Sequence, residues 1–256
     1  MPNVLVIGAT RGLGASFVKQ YSGRGDHVFG TARGDKAPDS EKNVEYIKGI
    51  DVSEESSGDT LAKALKPSGK QLDLVIMNAG YLATESFDEP NFENEVKMYK
   101  ICAIGPLFIV RALVKAGLMK KGSKLIFLSS ESGSITLRNE QEGGGMYGHH
   151  ASKTALNMVG HLLSYDLKDK EIAVGMLHPG FMRTEMTKGA GFDKFYDDAD
   201  AVLPEQAAEY ISKFIDTFDM SKTGTYWAPR GGKDIGNAEV VLGKEVAAKA
   251  PLQLPW

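Results

Sequence analysis

Three glycines in "VLVIGATRGLGASF" stand where a chain could hold a phosphate: Gly8, Gly12 and Gly14 follow a short apolar run and open a helical stretch. Glycine at such a junction permits a tight turn and lets the backbone approach a pyrophosphate, which rests against the free N–H groups of a helix N-terminus. The spacing is G-x-x-x-G-x-G, so the strand–turn–helix context carries more weight than the glycines themselves. The next apolar run ends in "TARGD", with Arg33 where an acidic residue would bond the ribose 2′-hydroxyl of NAD, and Arg11 lies inside the glycine turn. Two guanidiniums suit a 2′-phosphate, so the expected cofactor is NADP(H).

A second set lies in "MYGHHASKTALNM", where His149 precedes Lys153 by one helical turn on the same face. Imidazole titrates near about 6.5, and an adjacent ammonium lowers that value and holds the ring neutral. A neutral ring still donates at one nitrogen and accepts at the other. Tyr147, two residues earlier, is an alternative acid. His150 is expected to face away or to cap the helix, His161 to be a core or interface residue, and His178, before Pro179, to serve the backbone. Cys102 is the sole cysteine and reads as a core residue, which excludes an internal disulfide. No histidine–carboxylate set has metal-ligand spacing, so no metal is expected.

These residues need a scaffold, and the apolar pattern supplies one. "NVLVIGA", "HVFGTAR", "VEYIKGIDV", "LDLVIMNA", "KLIFLSS", "IAVGMLHPG" and "GTYWAPRG" read as strands separated by stretches of helical spacing. The rhythm is βαβ, so the predicted fold is α/β: one Rossmann-type, doubly wound parallel sheet with helices on both faces, forming a single domain over residues 1–256. Two segments, 131–146 and 181–203, read as irregular loops at the carboxyl edge of the sheet, where ligands bind, and 181–203 is expected to act as a lid over substrate.

Composition narrows the partners. A formal net charge of −3 gives nucleic acid and acidic membranes no attraction, and no apolar run approaches the length of a membrane span. The opening residues show neither a basic flank nor a signal-like apolar core, and a single cysteine suits a reducing compartment, so a cytoplasmic protein acting on a small molecule is expected.

Several separated motifs together resemble the short-chain dehydrogenase/reductase family across essentially the whole chain, and the closing "LQLPW" with "YGHHASKTALNM" is similar to the C-factor-like and sniffer-like carbonyl reductase branch. The resemblance implies that Gly8, Thr10, Arg11, Gly12, Leu13 and Gly14 form the nucleotide loop, that Asp51 and Val52 of "IDVS" flank the adenine, and that Asn78, Ala79 and Gly80 close the fourth strand. It further implies that Ser130 is the catalytic serine, that Lys153 is the catalytic lysine, and that Pro179, Gly180 and Thr184 of "HPGFMRT" border the nicotinamide. Relatives often pair through the fourth and fifth helices, which leaves room for a homo-oligomer. Two tetrad positions depart from the family, with His149 where its tyrosine belongs and Cys102 where its relay asparagine belongs, and smaller departures stand at Ile7 and Met77. Three functions follow from this mixture. One is an NADPH-dependent oxidoreductase acting on a carbonyl or hydroxyl, with His149 or Tyr147 as the acid. The second is a non-redox isomerase, dehydratase or cyclase that retains NADP(H), and the third is a dinucleotide-binding regulator without chemistry.

Overall fold

The computed structural model describes residues 1–256. Its centre is an eight-stranded sheet in the order β3-β2-β1-β4-β5-β6-β7-β8. The strands are β1 (Asn3–Ile7), β2 (His27–Thr31), β3 (Val44–Ile47), β4 (Leu72–Met77), β5 (Met119–Leu128), β6 (Ala173–Leu177), β7 (Thr225–Ala228) and β8 (Leu252–Gln253). All neighbours are parallel except β7 and β8. The doubly wound α/β fold is therefore as the sequence pattern implies.

The strands read as unbroken apolar runs because both faces are covered. Leu5, Ile7, Val75, Met77, Leu125 and Phe127 join one core, with Leu61 of α2 (Ser57–Leu65), Ile109 and Leu113 of α4 (Gly105–Lys115) and Leu156 of α5 (Tyr147–Asp166). Their alternates Val4, Val6, Leu74, Ile76, Ile126 and Leu128 join the other, with Phe17 of α1 (Gly12–Gly23) and Ile211 of α7 (Pro204–Asp216). Strand order reverses between β1 and its neighbours β2 and β4, and the crevice at that switch lies beyond the carboxyl ends of β1 and β4.

Two expectations need correction. The run "VEYIKGIDV" is a strand only over Val44–Ile47: Gly49 takes φ +73, and Ile50 returns to the sheet by donating to the Ala32 carbonyl at 3.0 Å. Segment 181–203 is not wholly irregular, since it carries α6 (Glu185–Gly189) and a 3₁₀ turn at Asp193–Phe195. The cause is local: the Thr184 hydroxyl accepts the Thr187 N–H and the Thr187 hydroxyl reciprocates at the Thr184 N–H, a capping box built from two threonines.

Candidate active site

The glycine turn is fixed by its neighbours. Gly8 has φ +81, and a Cβ there would lie 2.9 Å from the Ala79 Cα; a Cβ on Gly14 would lie 1.9 Å from the Gly8 carbonyl oxygen. Asn78 locks the arrangement by donating from Nδ2 to that same oxygen at 2.8 Å. Gly12 differs, because its φ is +53 but a Cβ would meet only the Thr184 Cγ2, at 4.0 Å. Its bareness faces open space between the turn and the 181–203 segment. No side chain caps α1 and its first turn holds no acidic residue, so the N–H groups there are free for an anion. Leu13 is buried beneath the turn, and Thr10 is exposed. The cradle fits a pyrophosphate.

Beyond it, Arg33 is exposed beside Asp51. Burial pushes the Asp51 carboxyl up, but the Ser53 hydroxyl and N–H, at 2.7 and 2.9 Å, together with Arg33 and Lys97 hold it below its ordinary value. Arg11 leans the other way and pairs with Glu185 of α6 at 3.4 Å, with both side chains largely exposed. Such a pair contributes at most about 1 kcal/mol, too little to hold Arg11 against a phosphate dianion.

Ser130 stands two residues past the end of β5, on a turn that is bolted to α5. The Tyr226 hydroxyl donates to the Ser130 carbonyl, the Ser129 hydroxyl donates to Asn157 Oδ1 at 2.6 Å, and Asn157 and Thr154 both donate to the Gly133 carbonyl, at 3.2 and 3.1 Å. A Cβ on Gly133 would lie 2.9 Å from the Lys153 carbonyl carbon, so the turn rests directly on the lysine's backbone. Lys153 Nζ donates to the Leu128 carbonyl at 2.8 Å, which leaves two donors for a ligand. The Ser130 Oγ accepts the Ser132 N–H at 3.2 Å, and its own proton has no partner in the chain.

His149 lies in the first turn of α5. Its Nδ1 is enclosed without a partner, whereas Nε2 is not enclosed. Burial, then the Lys153 ammonium, then His150 and Arg138 lower its pKa from 6.5 to about 3. The ring is neutral, and burial contributes more to this than the lysine that the sequence points to. Tyr147 is 42% exposed, and two positions along a helix it faces away from His149. His150 does not cap the helix: its Nδ1 donates to the Met146 carbonyl at 2.8 Å, and its Nε2 lies 3.4 Å from Arg138 Nη1.

Cys102 is buried, with Sγ 3.6 Å from the Tyr81 carbonyl oxygen. It sits in a π turn, Lys100–Ile104, between α3 (Phe92–Tyr99) and α4. Pro106 explains the turn, since it has no N–H for the Cys102 carbonyl and its ring would strike it. His161 bonds the Gly224 carbonyl and Tyr165 and lies edge-on to Trp256, as a packing residue. His178 departs from a backbone role, because its side chain accepts the Glu131 N–H at 3.0 Å and faces Asp234 at 3.5 Å.

Sequence reasoning passes over several residues of this site. Glu85 holds the start of α5 by accepting the Gly148 N–H at 2.7 Å, and Tyr210 donates to the Pro179 carbonyl at 2.5 Å beside Gly180, whose φ is +87. Tyr226 and Asp234 act across comparable chain separations, for which no local pattern exists.

The short chain dehydrogenase family profile matches residues 2–194. The chain belongs to the short-chain dehydrogenase family. Within that family it is 30% identical over 226 residues to a 1-hydroxy-2-glutathionyl-2-methyl-3-butene dehydrogenase of Rhodococcus sp. (strain AD45), covering 88% of this chain and 96% of the relative. Among solved short-chain dehydrogenase folds, the carbonyl reductase Sniffer of D. melanogaster superposes with a TM-score of 0.78 at 22% identity over 100% of both chains. NADPH-bound carbonyl reductase from chicken fatty liver gives 0.76 at 24% identity over 89% of this chain and 96% of that one. No helix of this short-chain dehydrogenase is long and apolar enough to cross a membrane.

Proposed function

We propose that this short-chain dehydrogenase is an NADP(H)-dependent oxidoreductase acting on the carbonyl or hydroxyl of a small organic molecule, with His149 in the role of the family's tyrosine. The observation that carries the reading is the imidazole itself: neutral, largely enclosed, unpartnered at Nδ1, and one turn from Lys153. Nδ1 is closed to a ligand, so a substrate oxygen would meet the ring at Nε2, the nitrogen that is not enclosed. The alcohol dehydrogenase activity in the Rhodococcus relative's name and the NADPH in the chicken reductase's title point the same way.

In this reading the free N–H groups after Gly12 hold the pyrophosphate, Arg33 and Arg11 hold the 2′-phosphate, Lys153 holds the ribose, and Pro179, Gly180 and Thr184 border the nicotinamide. Asp51 and Val52 flank the adenine, with Asn78, Ala79 and Gly80 beneath. The bound cofactor supplies or accepts the hydride. Ser130 donates its free hydroxyl proton to the substrate oxygen. His149 donates a second hydrogen bond to the same oxygen as a neutral imidazole, a form that polarises carbonyls at helix N-termini. The proton that completes the alcohol is the imidazole N–H proton, which passes to the oxygen as the hydride arrives; the Lys153 ammonium one turn away stabilises the ring left behind until solvent returns a proton to it.

The test is to incubate the protein with NADPH and a panel of ketones and aldehydes, following absorbance and product mass together. Consumption of NADPH with a product two mass units heavier is expected. A changed product with cofactor intact would overturn the redox reading in favour of isomerisation or dehydration.

A further inference from the structure

Between β7 and β8 lies a buried charge that the proposed chemistry does not use. The Asp234 side chain has 0% exposure, and a carboxylate so enclosed is costly unless it is paired. Its Oδ2 accepts the Phe181 N–H at 2.5 Å, lies 3.5 Å from His178 Nε2 and lies 3.9 Å from Arg230 Nη1. Burial alone would push this carboxyl up, but the imidazole, the Phe181 N–H and Arg230 pull it down to about 2, so it is ionised at neutral pH.

The network extends both ways. His178 accepts the N–H of Glu131, the residue after Ser130, at Nδ1, which fixes the ring's own proton on Nε2, facing the carboxylate. Arg230 reaches outward: Nη2 pairs with the Asp200 carboxylate and Nη1 donates to the Asp200 carbonyl at 3.0 Å. Asp200 has φ +49, a left-handed conformation that aspartate tolerates better than most non-glycine residues. The two feet of the 181–203 segment are also tied to each other, by Val202 N–H to Phe181 O at 3.0 Å and Arg183 N–H to Val202 O at 2.9 Å.

We propose that Asp234 and Arg230 are positioning residues: they fix both feet of the lid, at Phe181 and Asp200, to the turn that carries Ser130. One buried carboxylate thereby joins the moving wall of the cleft to its rigid floor. Arg230 supplies the outer arm and His178 the inner one. The lid between the feet contains Lys188 and Lys194, both exposed, so its opening can be read by trypsin in the ligand-free protein.

In Arg230→Met, cleavage after Lys188 and Lys194 is expected to quicken roughly tenfold, while cleavage after Lys42, at the far edge of the sheet, keeps its rate. Arg230→Lys should fall between Arg230→Met and the wild type. Asp200→Asn should match Arg230→Met, and the double variant should cut no faster than either single one, because both remove the same link. In Asp234→Asn, the amides of Phe181 and Glu131 are expected to exchange faster together. Lid cleavage that rises only in step with Lys42, additive effects of Arg230→Met and Asp200→Asn, or a Glu131 amide unmoved in Asp234→Asn would each overturn the proposal. These measurements need neither cofactor nor substrate, so their failure leaves the oxidoreductase reading standing.

Discussion

At the glycine turn, neighbouring atoms exclude side chains at two positions: Ala79 lies against Gly8, whose φ is +81, and the Gly8 carbonyl lies against Gly14. At the start of α5 the arrangement is reversed. Met146 holds φ +54 and supplies no cap of its own, so that Glu85 alone reaches across to accept the Gly148 N–H, and His149 keeps an enclosed nitrogen without a partner. One region is over-determined by packing and the other carries unmet hydrogen-bonding capacity. Substitutions in the first are constrained by the fold, whereas those in the second are constrained by chemistry. Under the proposed function, that difference accounts for a chain whose nucleotide half follows its family while the residue at its tyrosine position does not.

The contrast breaks first at Gly14. Gly14→Ala would drive a Cβ to within 1.9 Å of a backbone oxygen, and overpacking of that kind costs about 1–3 kcal/mol or more. A lowered Tm together with loss of measurable NADPH binding is expected; normal titration and melting curves would refute the packing account. His149→Phe should do the opposite, lowering turnover by about 10²–10⁴-fold while NADPH affinity stays nearly unchanged. Stopped-flow turnover and fluorescence titration separate the two effects, and full activity in this variant would remove His149 from the mechanism. Arg33→Ala is expected to reduce the preference for NADPH over NADH by about 10–100-fold, the value of one charge-assisted contact; unchanged dissociation constants would reassign the 2′-phosphate to Arg11 alone.

A smaller effect sharpens the comparison through pH. The pKa of His149 is about 3 in the folded chain against the ordinary 6.5, so the unfolded chain binds the proton more tightly. The stability contributed by the neutral ring is complete above about pH 6.5 and is lost progressively as pH falls toward about 3. His149→Phe should therefore flatten the decline of Tm between those limits. NMR of the ring should find it neutral at about pH 5; an imidazolium there would contradict the burial argument.

Legibility from sequence follows the same divide. The parallel sheet, the phosphate cradle and the neutrality of His149 rest on neighbours in the chain: apolar runs, glycines after a strand, a lysine four residues on. Helix α6 was within reach too, but its cap is threonine to threonine instead of the threonine-to-glutamate pattern that flags a helix start. The roles of Asp234, Tyr226 and Glu85 had no such signal. Each meets its partner only after the chain has crossed the sheet at least once, so nothing near it in sequence marks it. The dominance of burial over Lys153 at His149 belongs to this group, because enclosure is a property of the assembled walls.

The π turn at Lys100–Ile104 has a consequence for which changes this chain can accept. A regular helix advances about 100° per residue, so the one extra residue of a π turn sets the phase of everything after it. Removing one residue there would straighten the helix but rotate α4 by that angle, carrying Ile109 and Leu113 out of the core and Gly105 away from the Val52 carbonyl, which a Cβ at that position would approach to 1.9 Å. Replacing Pro106 alone would restore a donor for which the Cys102 carbonyl is no longer in register. The five-residue turn, the glycine and the proline thus form a single unit of inheritance: a lineage can reach or leave this geometry by a concerted length change, and hardly by point substitutions taken one at a time.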